Sequence, residues 1–169
     1  IGYDSSNLGQ AMAYSVCRRS IRRYNSTAEI RPIKLDEMRD KGIYYRDNDN
    51  KQSTEFTYSR FLAPYLNDFK DYAVFCDSDF LWQTDIEDVL QFIDERKSIA
   101  CVQHEYVQCP SSTKMDGLKQ EWYPRKNWSS LMVFNCAHED CKNLTVEAVN
   151  TETPKYLHRL MWANDKNLG

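Results

Sequence analysis

The chain has 169 residues, 41% hydrophobic and 13% aromatic, with a formal net charge of −3. That length carries one domain with a real core, and the composition excludes intrinsic disorder. The slight acidity excludes a general pull towards nucleic acid, and no apolar run is long enough to span a membrane.

Ile1–Asp4 reads as the end of a first strand. A chain that opens on Ile1 in mid-strand, and that stops soon after Trp162-Ala-Asn-Asp165, is expected to be a single domain over 1–169 that is incomplete at both termini. A polar turn at Ser5–Asn7 leads into a helix with Ala13, Val16, Cys17, Ser20, Ile21 and Tyr24 inward. Its outer side carries Arg18, Arg19, Arg22 and Arg23, a solvated face in the simplest reading. Glu29–Ile33 is a short strand candidate, and the Asp- and Asn-rich Tyr44–Lys51 a loop. A second helix places Tyr58, Phe61, Leu62, Tyr65 and Leu66 on one face, bent or shortened by Pro64, which lacks the backbone donor to Arg60. Tyr72–Cys76 is a continuous apolar run, the pattern of a strand buried on both faces. Asp85 can cap a third helix with Ile86, Val89, Phe92 and Ile93 inward. Strands are predicted at Ile99–Gln103 and Leu131–Asn135, and a last helix starts at Thr153-Pro154, a cap followed by proline. Strands alternating with helices predict an α/β sheet covered on both faces.

Six cysteines stand at Cys17, Cys76, Cys101, Cys109, Cys136 and Cys141, in spacings that fit neither a zinc site nor a secreted disulfide framework. Cys76, Cys101 and Cys136 lie in or at the end of apolar runs, where a reduced thiol acts as a small core hydrophobe. Free thiols point to a reducing compartment, the cytoplasm. The N-x-S/T triplets at Asn25, Asn127 and Asn143 read as chance occurrences.

The most informative stretch is Tyr72-Ala-Val-Phe-Cys-Asp-Ser-Asp-Phe-Leu-Trp82. An apolar strand ends, and two carboxylates follow one residue apart at its carboxyl edge, where open α/β sheets bind ligands. Neighbouring carboxylates repel unless a proton or cation lies between them. Manganese or magnesium suits such oxygen ligands and keeps coordination places free for phosphate.

Phe75-Cys-Asp-Ser-Asp-Phe-Leu-Trp-Gln-Thr-Asp-Ile-Glu-Asp-Val-Leu90 resembles the DxD segment of GT-A-fold glycosyltransferases, most closely glycogenin-like family 8 enzymes and the small glycosyltransferase of chlorella viruses. Three further segments are similar to that family in the same order. Ile1-Gly-Tyr-Asp-Ser-Ser6 resembles the first strand, which lies against the nucleotide. Ser53–Leu62 resembles the helix whose arginine, here Arg60, reaches towards the diphosphate. Lys126–Asn135 resembles the segment that lines the donor-sugar pocket. The resemblance implies a Rossmann-like mixed sheet flanked by helices and a sugar transfer from a nucleoside-diphosphate sugar, UDP above all, to a hydroxyl of a glycan or other acceptor. It implies Mn2+ or Mg2+ on Asp77 and Asp79, and nucleotide-sugar contacts from Tyr3, Asp4, Ser5, Arg60, Asp77 and Ser78. The sugar and acceptor end would comprise His104, Asn127, Trp128 and Ser129. A later histidine that the family supplies as a metal ligand has no counterpart before Gly169.

Tyr3 and Trp128 could equally be packing residues, and His104 a structural one. Lys114 and Asp116 fall in a polar loop. No catalytic base can be assigned, Asp116 and Asp165 being weak candidates. Three other readings compete. A dehalogenase-type phosphatase places Asp-x-Asp near its start, whereas here the pair follows 76 residues. A nucleotidyltransferase needs a glycine-rich loop that Ile1–Gly9 lacks. The third is a non-catalytic carbohydrate-binding or assembly module that retains the GT-A fold.

Overall fold

The computed structural model describes residues 1–47, 57–103 and 127–169, with Asn127 and Trp128 described through their backbone alone. The chain is a mixed α/β protein. Strand β1 (Gly2–Tyr3) runs parallel to β2 (Ile33–Lys34), and helix α1 (Leu8–Tyr24) lies between them in sequence. Asn7 starts α1 by accepting from the Gln10 N–H at 3.2 Å, and Arg22 and Arg23 in the last turn suit the negative end of the helix dipole. The buried face of α1 is narrower than the spacing suggests. Cys17, Ser20 and Ile21 are buried, whereas Val16 and Tyr24 are 57% and 43% exposed. Val16 sits a quarter-turn or more from the centre of that face, and Arg23 stacks over the Tyr24 ring at 5.6 Å.

The expected strand over Glu29–Ile33 shrinks to Ile33–Lys34. Pro32 has no N–H for a ladder, and the Arg31 and Glu29 side chains pair with each other at the surface. A short helix that the sequence pattern did not announce, α2 (Leu35–Asp40), follows at once and buries Leu35 and Met38. The helix predicted around Pro64 is two pieces, a 3-10 turn over Ser59–Leu62 and α3 (Ala63–Leu66). Pro64 falls in the first turn of α3, where a missing N–H costs nothing, and Tyr65 turns outward.

Strand β3 (Tyr72–Cys76) pairs antiparallel with β5 (Asn127–Asn135), which also pairs antiparallel with β4 (Ile99–Gln103). Both β3 and β4 keep their predicted limits, and β5 starts earlier than expected. Burial of β3 deepens along its length instead of being uniform, from Tyr72 at 37% exposed to Cys76 at 1%. A parallel bridge between Gly2 and Asp77 joins the two sheets edge to edge, in the order β2, β1, β3, β5, β4.

Asp85 caps the next segment as expected, accepting from the Glu87 N–H at 2.9 Å. That segment, Ile86–Phe92, is a 3-10 helix. Its tighter turn breaks the expected inward stripe and leaves Phe92 80% exposed. Thr145 caps an unpredicted helix, α4 (Val146–Thr151), and Thr153 caps α5 (Pro154–His158) at the predicted place. Two apolar clusters form. The larger holds Phe61, Leu62, Phe75, Phe134 and Leu157; the smaller holds Ile1, Cys17, Ile21, Cys76 and Trp82. Phe75 and Cys76 are consecutive on a strand and so face opposite ways, which puts one cluster on each side of β3. The described cysteines are free thiols, with Cys17 and Cys76 meeting at 3.9 Å in the smaller core. Cys109 lies outside the described residues.

Asn150 ties the segment after α2 to α4. Its amide donates to the Ile43 and Val146 carbonyls at 2.9 and 2.7 Å and accepts from the Tyr45 N–H at 2.7 Å. Asn150 is 7% exposed, so its removal leaves buried backbone groups unpaired. Asn150→Ala is expected to cost about 3 kcal/mol in urea unfolding, and a loss below 1 kcal/mol would show that water replaces it.

Candidate functional site

The chemistry gathers where β1 and β3 meet. Asp77 follows the last residue of β3, donates its N–H to the Ser130 carbonyl at 2.9 Å, and stands opposite Gly2 across the parallel bridge. A turn closes from Asp77 to Phe80, whose N–H reaches the Asp77 carbonyl at 3.4 Å. That turn buries Ser78 (5% exposed) and turns Asp79 out to solvent. The two carboxylates therefore sit on one tight turn, one half-sunk and one open.

Arg60 approaches from beneath. It is 6% exposed, and its guanidinium lies over the Phe75 ring at 5.2 Å. Nη2 stands 3.1 Å from Asp77 Oδ1, an ion pair with 16% of the aspartate side chain exposed. Nε donates to the Thr57 carbonyl at 2.8 Å, and Nη1 to the Ser129 carbonyl at 2.6 Å and to Ser129 Oγ at 3.2 Å. The guanidinium thus clamps three segments together: its own 3-10 turn, the end of β3, and β5. Its contact with Asp77 is one of charge more than of hydrogen bonding, since among the described residues no donor is aligned on the shielded Oδ1.

Strand β5 is shaped for this junction. Cys101 pairs with Met132, but Val102 pairs with Trp128, so Ser129, Ser130 and Leu131 form a bulge relative to β4. Bulges redirect side chains beside functional sites. Here Ser129 accepts from Arg60 Nη1, and Ser130 accepts the Asp77 N–H on its carbonyl and lies close enough to the carboxylate to lower its pKa.

Burial raises the Asp77 pKa above the ordinary carboxylate value. The like charge of Asp79 adds to that rise, and Arg60 and Ser130 oppose it. Burial likewise lowers the Arg60 pKa, while Asp77 and Asp79 pull it back up; a guanidinium stays charged throughout. One cation against two carboxylates leaves the turn one negative charge in excess. A divalent ion would convert that excess into one positive charge, the sign a diphosphate requires. With Oδ1 of Asp77 shielded against Arg60, the other oxygen of Asp77 and the open carboxylate of Asp79 are the oxygens that would suit a hard cation. Among the described residues no cluster of three acidic, histidine or cysteine side chains stands ready for a metal, so a third protein ligand is not supplied there.

The remaining predicted residues divide clearly. Tyr3 is 5% exposed and stacks on Tyr14, with ring centroids 4.5 Å apart and planes 11° from parallel. One face of that ring is taken by protein, so the packing alternative describes it better than stacking on a base. Asp4 shapes the turn before α1: Oδ1 accepts from the Ser6 N–H at 2.9 Å and from Ser6 Oγ at 2.7 Å. Ser5 faces Asp36 and helps hold that carboxyl below its usual range. These three residues build the rim beside Asp77. Asn127 and Trp128 open β5, next to the bulge. His104, Lys114 and Asp116 lie outside the described residues. Asp165 opens a 3-10 turn whose Leu168 bridges Ile99, and Ile99 is level with Phe134 and Ala73, the far end of the sheet from Asp77. The fold does not bring Asp165 to the site, which removes it as a candidate base. Ser130 is the residue that sequence reasoning missed. Its one signal was a pair of serines interrupting an apolar strand.

The ion pair has a testable pH signature. Asp77 holds its proton above the ordinary range, so its cost of ionisation sets in as pH rises through the raised pKa and is absent below the unfolded value, about 3.9. Arg60→Met removes the opposing charge and raises that pKa further. The variant is expected to lose about 3 kcal/mol at pH 7 and less at pH 3, measured by urea unfolding. An equal loss at both would show that Arg60 acts only through its backbone hydrogen bonds.

No family model matches the chain, and no solved structure matches it. Over its whole length it is 45% identical to Protein CDI of Arabidopsis thaliana. The chain spans 64% of the length of that relative.

Proposed function

We propose that the chain is the nucleotide-sugar-binding part of a metal-dependent glycosyltransferase of the GT-A type, acting on a UDP-sugar and a hydroxyl acceptor. The observation that carries this reading is the paired carboxylate turn at the carboxyl edge of β3, backed by a buried arginine at the crossing with a parallel strand. A mixed sheet with apolar layers on both sides of β3 agrees with that fold type.

In the proposed transfer, the bond from the anomeric carbon to the diphosphate oxygen breaks. A bond to the acceptor oxygen forms, and the acceptor proton passes to solvent or to a base. The difficulty is the negative charge that grows on the departing diphosphate. Asp77 and Asp79 would hold Mn2+ or Mg2+, which supplies Lewis-acid neutralisation of that charge. Arg60 keeps Asp77 ionised and fixed in place, a preorganising role that spares the site any rearrangement during reaction. Asp4 and Ser5 form the turn that would face the nucleotide. Ser129 and Ser130 would mark the floor towards the sugar.

The non-catalytic alternative, a carbohydrate-binding or assembly module, gains from one observation. The Arg60 donors described above are directed at Thr57, Ser129 and Asp77, so the guanidinium supports the turn instead of reaching a ligand. Calorimetric titration with UDP separates binding from its absence, and donor hydrolysis separates enzyme from module. Asp79→Ala is expected to abolish Mn2+-stimulated UDP binding, at least a tenfold rise in Kd or about 1.4 kcal/mol. Asp79 is exposed, so the fold should survive. An unchanged titration would defeat the assignment.

A further inference from the structure

Cys17 of α1 and Cys76 of β3 meet in the smaller apolar cluster, with their sulfurs 3.9 Å apart and the two residues 0% and 1% exposed. A buried thiol ordinarily serves as a small apolar group, but packing alone does not require two sulfurs in contact. The other two buried thiols differ in this respect. Cys136 Sγ is turned to the Phe134 carbonyl at 3.8 Å, and Cys141 Sγ to the Ser98 carbonyl at 3.3 Å.

The pair sits where α1 grips the stretch that carries the carboxylates. Cys76 immediately precedes Asp77. Three residues beyond Cys17, the Ser20 hydroxyl accepts the Trp82 N–H at 3.0 Å and donates to the Cys17 carbonyl at 2.7 Å. One turn of α1 therefore holds the chain just before Asp77 and just after Leu81, and a shift of α1 against β3 acts on the residues between. The pair can also be reached. A groove of about 320 Å³ has Ile21, Val74 and Cys76 among its lining residues, whereas Cys17 lies behind them.

We propose that Cys17 and Cys76 are a reversible thiol–disulfide pair, oxidised by a peroxide and reduced by a dithiol, that sets the position of the Asp77–Asp79 turn. Cys76, on the groove side, reacts first. Its sulfur attacks one peroxide oxygen, the O–O bond breaks, and water leaves with the thiol proton, giving a sulfenic acid. The Cys17 sulfur then attacks the Cys76 sulfur, the S–O bond breaks, and the hydroxyl leaves as a second water with the Cys17 proton. The two thiols lose two electrons and two protons, and the peroxide is reduced to water. A dithiol returns the electrons by successive thiol–disulfide exchanges. Bridged sulfurs lie about 2.0 Å apart, so the gap of 3.9 Å has to close by about half. Helix and strand end are drawn together, and the turn between their two contacts moves with them. The disulfide itself is independent of the proposed function; its effect on a metal at the turn rests on that reading.

The test exposes the reduced protein to hydrogen peroxide without metal or nucleotide, blocks the remaining thiols with N-ethylmaleimide under denaturing conditions, and maps the peptides without reduction. A Cys17–Cys76 bridge within one molecule is expected as the main product, and dithiothreitol should remove it. In the same samples the amide resonances of Asp77 to Trp82 are expected to shift, while those of Val149 and Leu157, in the larger cluster, stay in place. Recovery of both cysteines as free thiols would overturn the inference. So would bridges from either to another cysteine or to a second molecule, or a Cys17–Cys76 bridge that leaves Asp77 to Trp82 unshifted. Neither readout involves UDP, so a failed nucleotide titration would leave the thiol pair standing, and a failed bridge would leave the transferase reading standing.

Discussion

Arg60 and Asp77 meet almost out of water, and the local architecture is built around keeping that pair charged. A buried carboxylate with no partner would take up a proton, and a buried guanidinium with no partner would carry a large desolvation cost. Each supplies part of what the other lacks, and the rest comes from the carbonyls of Thr57 and Ser129 and from the Ser129 hydroxyl, while the Ser130 carbonyl holds the Asp77 N–H. Those groups come from three separate stretches of chain. The pair can therefore form only when the 3-10 turn before α3, the end of β3 and the bulge of β5 are all in place. An arrangement that costs burial of charge contributes little net stability, so its benefit lies in geometry. It holds one carboxylate at a fixed point on the sheet edge while its neighbour, Asp79, stays free in solvent.

That division between a fixed and a free carboxylate sets what the edge can do. The turn keeps one negative charge in excess, half screened by water, and presents the two acids from the first and third positions of a four-residue turn. On the proposed function, a compact divalent ion and then a diphosphate would be the ligands whose charge alternates with it. The rim on the β1 side is polar and closed by local hydrogen bonds of Asp4 and Ser6, which makes it a rigid wall. Specificity for a sugar would reside on the β5 side and in residues beyond it.

How much of this was legible in the sequence depended on how local the cause was. The run from Tyr72 to Cys76 and the two acids after it were readable because an apolar strand and its polar stop are contiguous. The caps at Asp85 and Thr153 were readable for the same reason: one side chain and one nearby N–H decide them. The helical faces were over-read. Val16 and Phe92 face water, because Val16 lies off the centre of the buried face of its helix and the Ile86–Phe92 turn is 3-10. Tyr3 looked equally suited to a ligand or to packing, and only the position of Tyr14 decides between them. The role of Ser130 and the displacement of Asp165 both depend on strand register and on a bulge, which are set by pairings some 25 to 70 residues apart in sequence.

The account stands or falls on a cation sharing the Asp77 turn with a diphosphate. Mn2+ is paramagnetic, so amide resonances near it broaden. Titrating sub-stoichiometric Mn2+ into the labelled protein with UDP present should broaden Asp77, Ser78, Asp79 and Ser130 first, and much less without UDP. Broadening that begins elsewhere, or that leaves those four amides sharp, would contradict it.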